Sequence, residues 1–200
     1  MGAVIYQEVK QRKWFFLISF ILFVALYFAY GRRPENMESL FMIFPIVASA
    51  FIFGAEEEIE YIIVGRVSLG AVMTFRFLTI YISVALIPAA FIYLTRDSYV
   101  MIKLLLMYTV TILLTCAVGL FWRVVLKSAF SSLLFSSLSY SFITSLDLFV
   151  GQDVKARIFC PFGSRVLEDE YFYMNRIVTL GYALILIGIS AYALRRRQNV

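Results

Sequence analysis

The chain has 200 residues, 62% of them hydrophobic and 16% charged, with a formal net charge of +5 and a mean hydropathy of +0.86. Globular chains run near roughly half apolar and a quarter charged, so this composition excludes a soluble globular domain and marks a membrane protein. Histidine is absent, which removes the commonest general base and metal ligand, and no G-x-x-x-x-G-K-[ST] phosphate loop occurs; zinc sites, triads and P-loop nucleotide hydrolysis are therefore not expected in this chain.

At the start, Lys10, Arg12 and Lys13 precede an uncharged run over 14–30. The pair of regions looks like a signal peptide, but the apolar run is long for one and no small-x-small site closes it, so it is read as the first span. Further apolar runs at 40–55, 77–94, 104–122, 128–150 and 177–194 are separated by charged or Gly/Pro-bearing turns. A spanning helix needs about 20 residues to cross a core about 30 Å thick, so the prediction is an all-α integral membrane protein of six spans in a single domain, 1–200. Pro45 and Pro88 fall inside spans, where membrane helices tolerate proline through local rearrangement. Basic clusters before the first span and at Arg195, Arg196 and Arg197 predict that both termini are cytoplasmic, as an even number of spans requires.

The connection after the second span, 56–76, carries Glu56, Glu57, Glu58 and Glu60. Read as a helix, Ile59, Ile62, Ile63 and Val67 gather on one face and Glu56, Glu57 and Glu60 on another, an amphipathic cytoplasmic element with an apolar side for a partner or for the membrane surface. Like charges at this spacing cost a few tenths of a kcal/mol per pair, so a basic neighbour is expected. The bland alternative is that the four glutamates only solvate the end of a span. No nucleophile or metal-ligand set accompanies them, and no catalytic or metal site is predicted.

In the fifth span Ser128, Ser132 and Ser136 form one i, i+4 line and Ser137, Ser141 and Ser145 a second. Small hydroxyl residues allow close helix approach, so these lines read as packing surfaces or as a polar pathway lining. Asp147, near the outer end of this span, is either a coupling or cation-binding acid or a hydrated interfacial residue near Lys155 or Arg157. The outer connection, 151–176, mixes aromatic and charged residues around Pro161 and Gly163. It fits a pair of short helices dipping into the outer leaflet or an interfacial loop held by Tyr171, Phe172 and Tyr173. Cys116 and Cys160 are predicted at different depths, so neither a disulfide nor a metal site follows from them.

Taken together, the basic start MGAVIYQEVKQRKW, six spans, the acidic stretch EEEIEYIIVGRVSLGAVMTFRFL leading to Arg76, and a closing segment with Pro161, then Asn175-Arg176, a last span and RRR resemble the type-2 family of ABC transporter permeases. A Pro-Ser turn common in the family's acidic loop is missing here, where Arg66-Val67 precedes Ser68.

The resemblance implies an amphipathic elbow helix over 2–13, a coupling helix in 56–76 and re-entrant helices in 151–176. It implies that Glu57, Glu58, Glu60, Tyr61, Ile62 and Arg66 contact a separate ATP-binding subunit, which holds ATP and Mg; this chain itself carries no cofactor. It further implies a homodimer or a heterodimer with a second permease, in contact with membrane lipids and not with nucleic acid, in the cytoplasmic membrane of a bacterial cell. It implies export, and scarce intramembrane charge points to an amphipathic or hydrophobic substrate such as a peptide, lipid or drug. The rival is a non-transporting immunity, scaffold or regulatory membrane subunit whose acidic loop docks a soluble partner.

Overall fold

Long runs of Leu, Ile, Val and Phe leave the backbone few polar partners but itself, and within one segment only the helix satisfies every N–H and C=O. The computed structural model is built this way and describes residues 2–29, 41–50, 69–95, 98–126, 128–150, 153–162 and 169–198, with no strand among them. Its helices are α1 (Gly2–Ala29), α2 (Ile43–Ala50), α3 (Leu69–Thr95), α4 (Ser98–Leu126), α5 (Ala129–Val150), α6 (Val154–Arg157) and α7 (Asp169–Gln198). Four of them, α3, α4, α5 and α7, are long and apolar enough to cross a membrane, whereas the apolar part of α1 covers only Leu17–Ala29.

The helices overrun the apolar stretches that predict them. α3 begins at Leu69, so 69–76 is helix and not the tail of a connecting loop; α4 begins at Ser98 against an expected 104; α7 begins at Asp169 against an expected 177. In each case the sequence estimate stops at a charge, while the helix absorbs that charge by burying it or resting it on a neighbour. Arg76 and Arg176 are 6% and 2% exposed, and the Lys103 ammonium lies 4.8 Å from the centroid of the Phe172 ring. α1 runs through Lys13 and Trp14 without the break expected between an elbow and a first span. The second expected span, 40–55, is helical from Ile43 to Ala50; of the predicted coupling region, 56–76, residues 56–68 lie outside the described residues and 69–76 belong to α3.

α4 is the axis of the bundle: 72% of its span is buried, against 33% for α3, 22% for α7 and 11% for α5. Around it, Phe23 of α1 packs edge-on against Phe41 at 5.1 Å and against Tyr108 of α4 at 6.2 Å, and meets Phe91 of α3 at 5.1 Å. Offset and edge-to-face rings add about 0.5–1.5 kcal/mol per pair beyond their buried area, so this cluster helps fasten α1 to the bundle. α3 keeps Pro88 in its interior.

α3 ends at Thr95 and α4 begins at Ser98, and between α4 and α5 the Ser128 N–H donates to the Leu126 carbonyl at 2.6 Å. Arg176, near the start of α7, reaches Met107 and Thr111 in the first half of α4, so α7 runs alongside α4 in the same direction. The bundle therefore has an Arg176 end, with α6, and an opposite end holding the start of α3, the end of α4 and the start of α5.

Candidate functional site

The most developed polar site lies at the Arg176 end and is built from α4, α6, the turn after α6, and α7. α6 is one turn long and exists because its end groups are satisfied from outside. At its start Asp153 Oδ1 accepts from the backbone N–H of Lys155 at 2.9 Å and of Ala156 at 3.4 Å, an N-cap in the usual sense. At its end the Asn175 amide donates to the carbonyls of Arg157 at 3.1 Å, Ile158 at 3.0 Å and Cys160 at 2.8 Å. Carbonyls that a short helix leaves without partners are thus collected by one side chain of α7. Ile158, Cys160 and Phe162 are buried beneath the turn, and Phe162 packs edge-on against Tyr140 of α5 at 5.5 Å.

The neighbouring residue completes the node. Arg176 Nε and Nη2 donate to Asn175 Oδ1 at 3.0 and 2.5 Å, and Nη2 also donates to the Pro161 carbonyl at 2.5 Å. Nη1 donates to Thr111 Oγ1 at 2.8 Å and to the Met107 carbonyl at 3.3 Å. The five N–H donors of a guanidinium are thereby matched by five hydrogen bonds to neutral oxygens. Thr111 is oriented for this by donating its own hydroxyl proton to the Met107 carbonyl at 2.8 Å, so its lone pairs face the arginine. Phe172, 1% exposed, closes the node with its ring 5.7 Å from the Arg176 guanidinium carbon and 4.8 Å from Lys103 Nζ, an attractive placement of two cations on one ring.

Physically, the node is a latch. Arginine keeps its charge at any accessible pH, so leaving its bonds would strand a charge in an apolar bundle. The folded-back segment 153–162 is consequently held to α7 and α4 by polar bonds, and to α5 by the contact of Phe162 with Tyr140.

The opposite end holds two more arginines that are deeply buried among the described residues, Arg76 of α3 and Arg123 of α4, at 6% and 2% exposure. Two serines of α5, Ser132 and Ser136, are fully buried there, and their hydroxyls find no hydrogen-bond partner among the described residues.

The predicted site residues separate accordingly. Glu57, Glu58, Glu60, Tyr61, Ile62 and Arg66 lie outside the described residues. The two serine lines of α5 part company: Ser132 and Ser136 face the bundle, whereas Ser137 and Ser141 are exposed and Ser145 is half-buried, its hydroxyl donating back to the Ser141 carbonyl at 2.7 Å. Ser139, between the lines, accepts from the Trp122 indole at 2.8 Å. Asp147 falls near the end of α5, with its side chain outside the described set. Cys116 and Cys160 are both free and buried, and no cluster of metal-ligating residues occurs among the described residues.

From the sequence alone, Arg176 stands out only as part of the closing motif and Thr111 has no role. The available signal was the motif itself, since Pro161 inside the connection 151–176 and Asn175-Arg176 at its end are the residues the fold bonds together. No family model, curated protein or solved structure matches the chain.

Proposed function

We propose that this chain is the membrane permease subunit of an ATP-driven ABC transporter, exporting an amphipathic or hydrophobic substrate such as a peptide, lipid or drug. The observation that carries the reading is the segment 153–162 folded back onto a bundle of long apolar helices and bonded to the start of the last one. A re-entrant outer connection needs that arrangement, because backbone that is not part of a spanning helix can sit at membrane depth only when protein satisfies its polar groups. In this reading the chain has six spans with both termini cytoplasmic, and works as a homodimer or a heterodimer with a second permease in the cytoplasmic membrane of a bacterial cell.

ATP and Mg belong to a separate ATP-binding subunit, since this sequence has no phosphate loop and no histidine. Glu57, Glu58, Glu60, Tyr61, Ile62 and Arg66 form the contact through which closure of that subunit is transmitted. Transmission requires a stiff element, because a compliant one would absorb the displacement. The latch at the far end supplies stiffness there: an outer segment tied to α7 and α4 moves with them.

Two measurements test this. The chain should co-purify with an ATP-binding subunit carrying a phosphate loop, and Glu57→Lys with Glu60→Lys should abolish export and substrate-stimulated ATP hydrolysis together while membrane insertion persists. Export that continues unchanged in the double reversal would overturn the assignment in favour of a non-transporting membrane subunit.

A further inference from the structure

Ser132 and Ser136 stand one turn apart on the face of α5 that meets the bundle. Both are fully buried, and neither hydroxyl has a hydrogen-bond partner among the described residues. The bond they forgo is a local one. Buried Thr111, Thr115, Thr179 and Ser190 each donate to the carbonyl four residues earlier in their own helix, the back-bond open to any hydroxyl on a helix. Ser132 and Ser136 make no such bond, and a hydroxyl left unmet in an apolar interior is costly.

The spacing of the pair defines what fits. Cβ atoms one turn apart on a helix are separated by about 5–6 Å. Hydroxyls so placed are too far apart to bond each other, and stand within the span of one water molecule that bonds to both at about 2.8 Å. A buried water makes about three hydrogen bonds, and the packing supplies a third partner, because α5 lies against both α4 and α2. α2 is entered beside Tyr108, where Phe41 packs, and leads toward α3. The Thr115 hydroxyl lies 3.9 Å from Met42 Sδ, which sets the start of α2 against α4, and the bond from Trp122 to Ser139 sets α5 against α4. Trp122 follows Thr115 by two turns, Ser49 follows Met42 by two turns, and Ser136 precedes Ser139 by one, so Ser49 and Ser136 come to within about a turn of the same level. Ser49 is fully buried and donates to the Ile46 carbonyl at 3.1 Å, which leaves its lone pairs open to a donor.

We propose that Ser132 and Ser136 hold one ordered water, which accepts from both hydroxyls and donates to Ser49. The water is a neutral polar link between α5 and α2. It fastens the least buried of the four long helices, with 11% of its span covered, at the end away from the contact of Tyr140 with Phe162.

The test is the sign of a substitution, read on the purified full-length chain in detergent, so its outcome is separate from that of the permease assignment. Wild type, Ser132→Ala, Ser136→Ala and the double variant are compared by thermal unfolding. Each single variant should lower the midpoint by a few degrees, and the double variant by little more than one of them, because the first substitution already releases the water. Hydroxyls with no partner at all would make the alanine variants more stable than wild type, and hydroxyls turned onto their own carbonyls would leave the midpoint unchanged; either result overturns the proposal. Ser49→Ala should couple to Ser136→Ala in the same way, and additive losses there refute the link to α2. Crystals that resolve ordered water should show one peak within hydrogen-bond distance of both hydroxyls, lost in the double variant; without that peak the site is refuted even where the alanine variants are less stable.

Discussion

Asn175→Ala strikes the latch at the side chain that serves both partners. In the folded protein this amide gives hydrogen bonds to three carbonyls after and within α6 and receives two from Arg176. Two amide hydrogens can form about two full bonds at once, and loss of each with its acceptors left buried costs about 1–3 kcal/mol. The Arg176 bonds are charge-assisted and worth about 1.5–3 kcal/mol, part of which water entering the new space recovers. A total near about 4 kcal/mol follows, equivalent to a fall in the melting midpoint of about 10 °C for a chain of this length.

The structure also provides a local reporter. Cys160 is 3% exposed and Cys116 fully buried in α4, so release of the segment 153–162 should speed maleimide labelling of Cys160 by at least about tenfold, the change equivalent to 1.4 kcal/mol, while Cys116 stays protected. Asn175→Asp should sit between wild type and Ala, because it keeps the acceptor for Arg176 and loses the donors for the carbonyls. A midpoint within 1–2 °C of wild type, or Cys160 labelling no faster than before, would refute the latch; those thresholds are about the size of a surface substitution.

Arg176→Lys keeps the charge but not the fork, so most of the bonds to Pro161, Thr111 and Asn175 should be lost and the midpoint should fall by about as much as in Asn175→Ala, read by the same melt. Enlarging the buried serine line, Ser132→Leu or Ser136→Leu, should cost about 1–3 kcal/mol through overpacking, whereas Ser137→Leu or Ser141→Leu on the exposed line should stay within about 0.5 kcal/mol in detergent. If the second pair instead alters the oligomeric state measured by light scattering, that face of α5 is a contact between copies of this chain.

How much of this was legible depends on the property concerned. Composition marked a membrane protein, because hydrophobic content is summed over residues and needs no knowledge of contacts, and the length of the apolar runs pointed to helices. The starts of α3, α4 and α7 lie six to eight residues before the apolar runs that predict them, and these offsets at Leu69, Ser98 and Asp169 share one cause. Hydropathy counts a charge as an end, but a charge can continue a helix when a neighbouring element receives it, as α4 and the turn after α6 receive Arg176.

The two serine lines make the same point within one helix. Their i, i+4 spacing is identical in sequence, yet Ser132 and Ser136 are buried while Ser137 and Ser141 are exposed. Periodicity identifies a face; it does not say which face meets a neighbour. The exposed face of α5 also carries Phe130, Leu134, Leu138 and Phe149, and in an apolar solvent such residues have no reason to turn inward.

By itself, then, the sequence determined the class of protein, the approximate spans, the scarcity of catalytic groups and the presence of an acidic stretch beside α3, all of which are properties of residues or of their immediate neighbours. Only the tertiary structure decided that α4 is the axis, that Asn175 and Arg176 hold the segment 153–162 to α7 and α4 through Pro161 and Thr111, and that Arg76 and Arg123 are buried at the opposite end. Those are relations between residues up to 69 positions apart, and hydrogen bonding over such a separation is set by how helices pack and reverse, for which a linear pattern holds no coordinate.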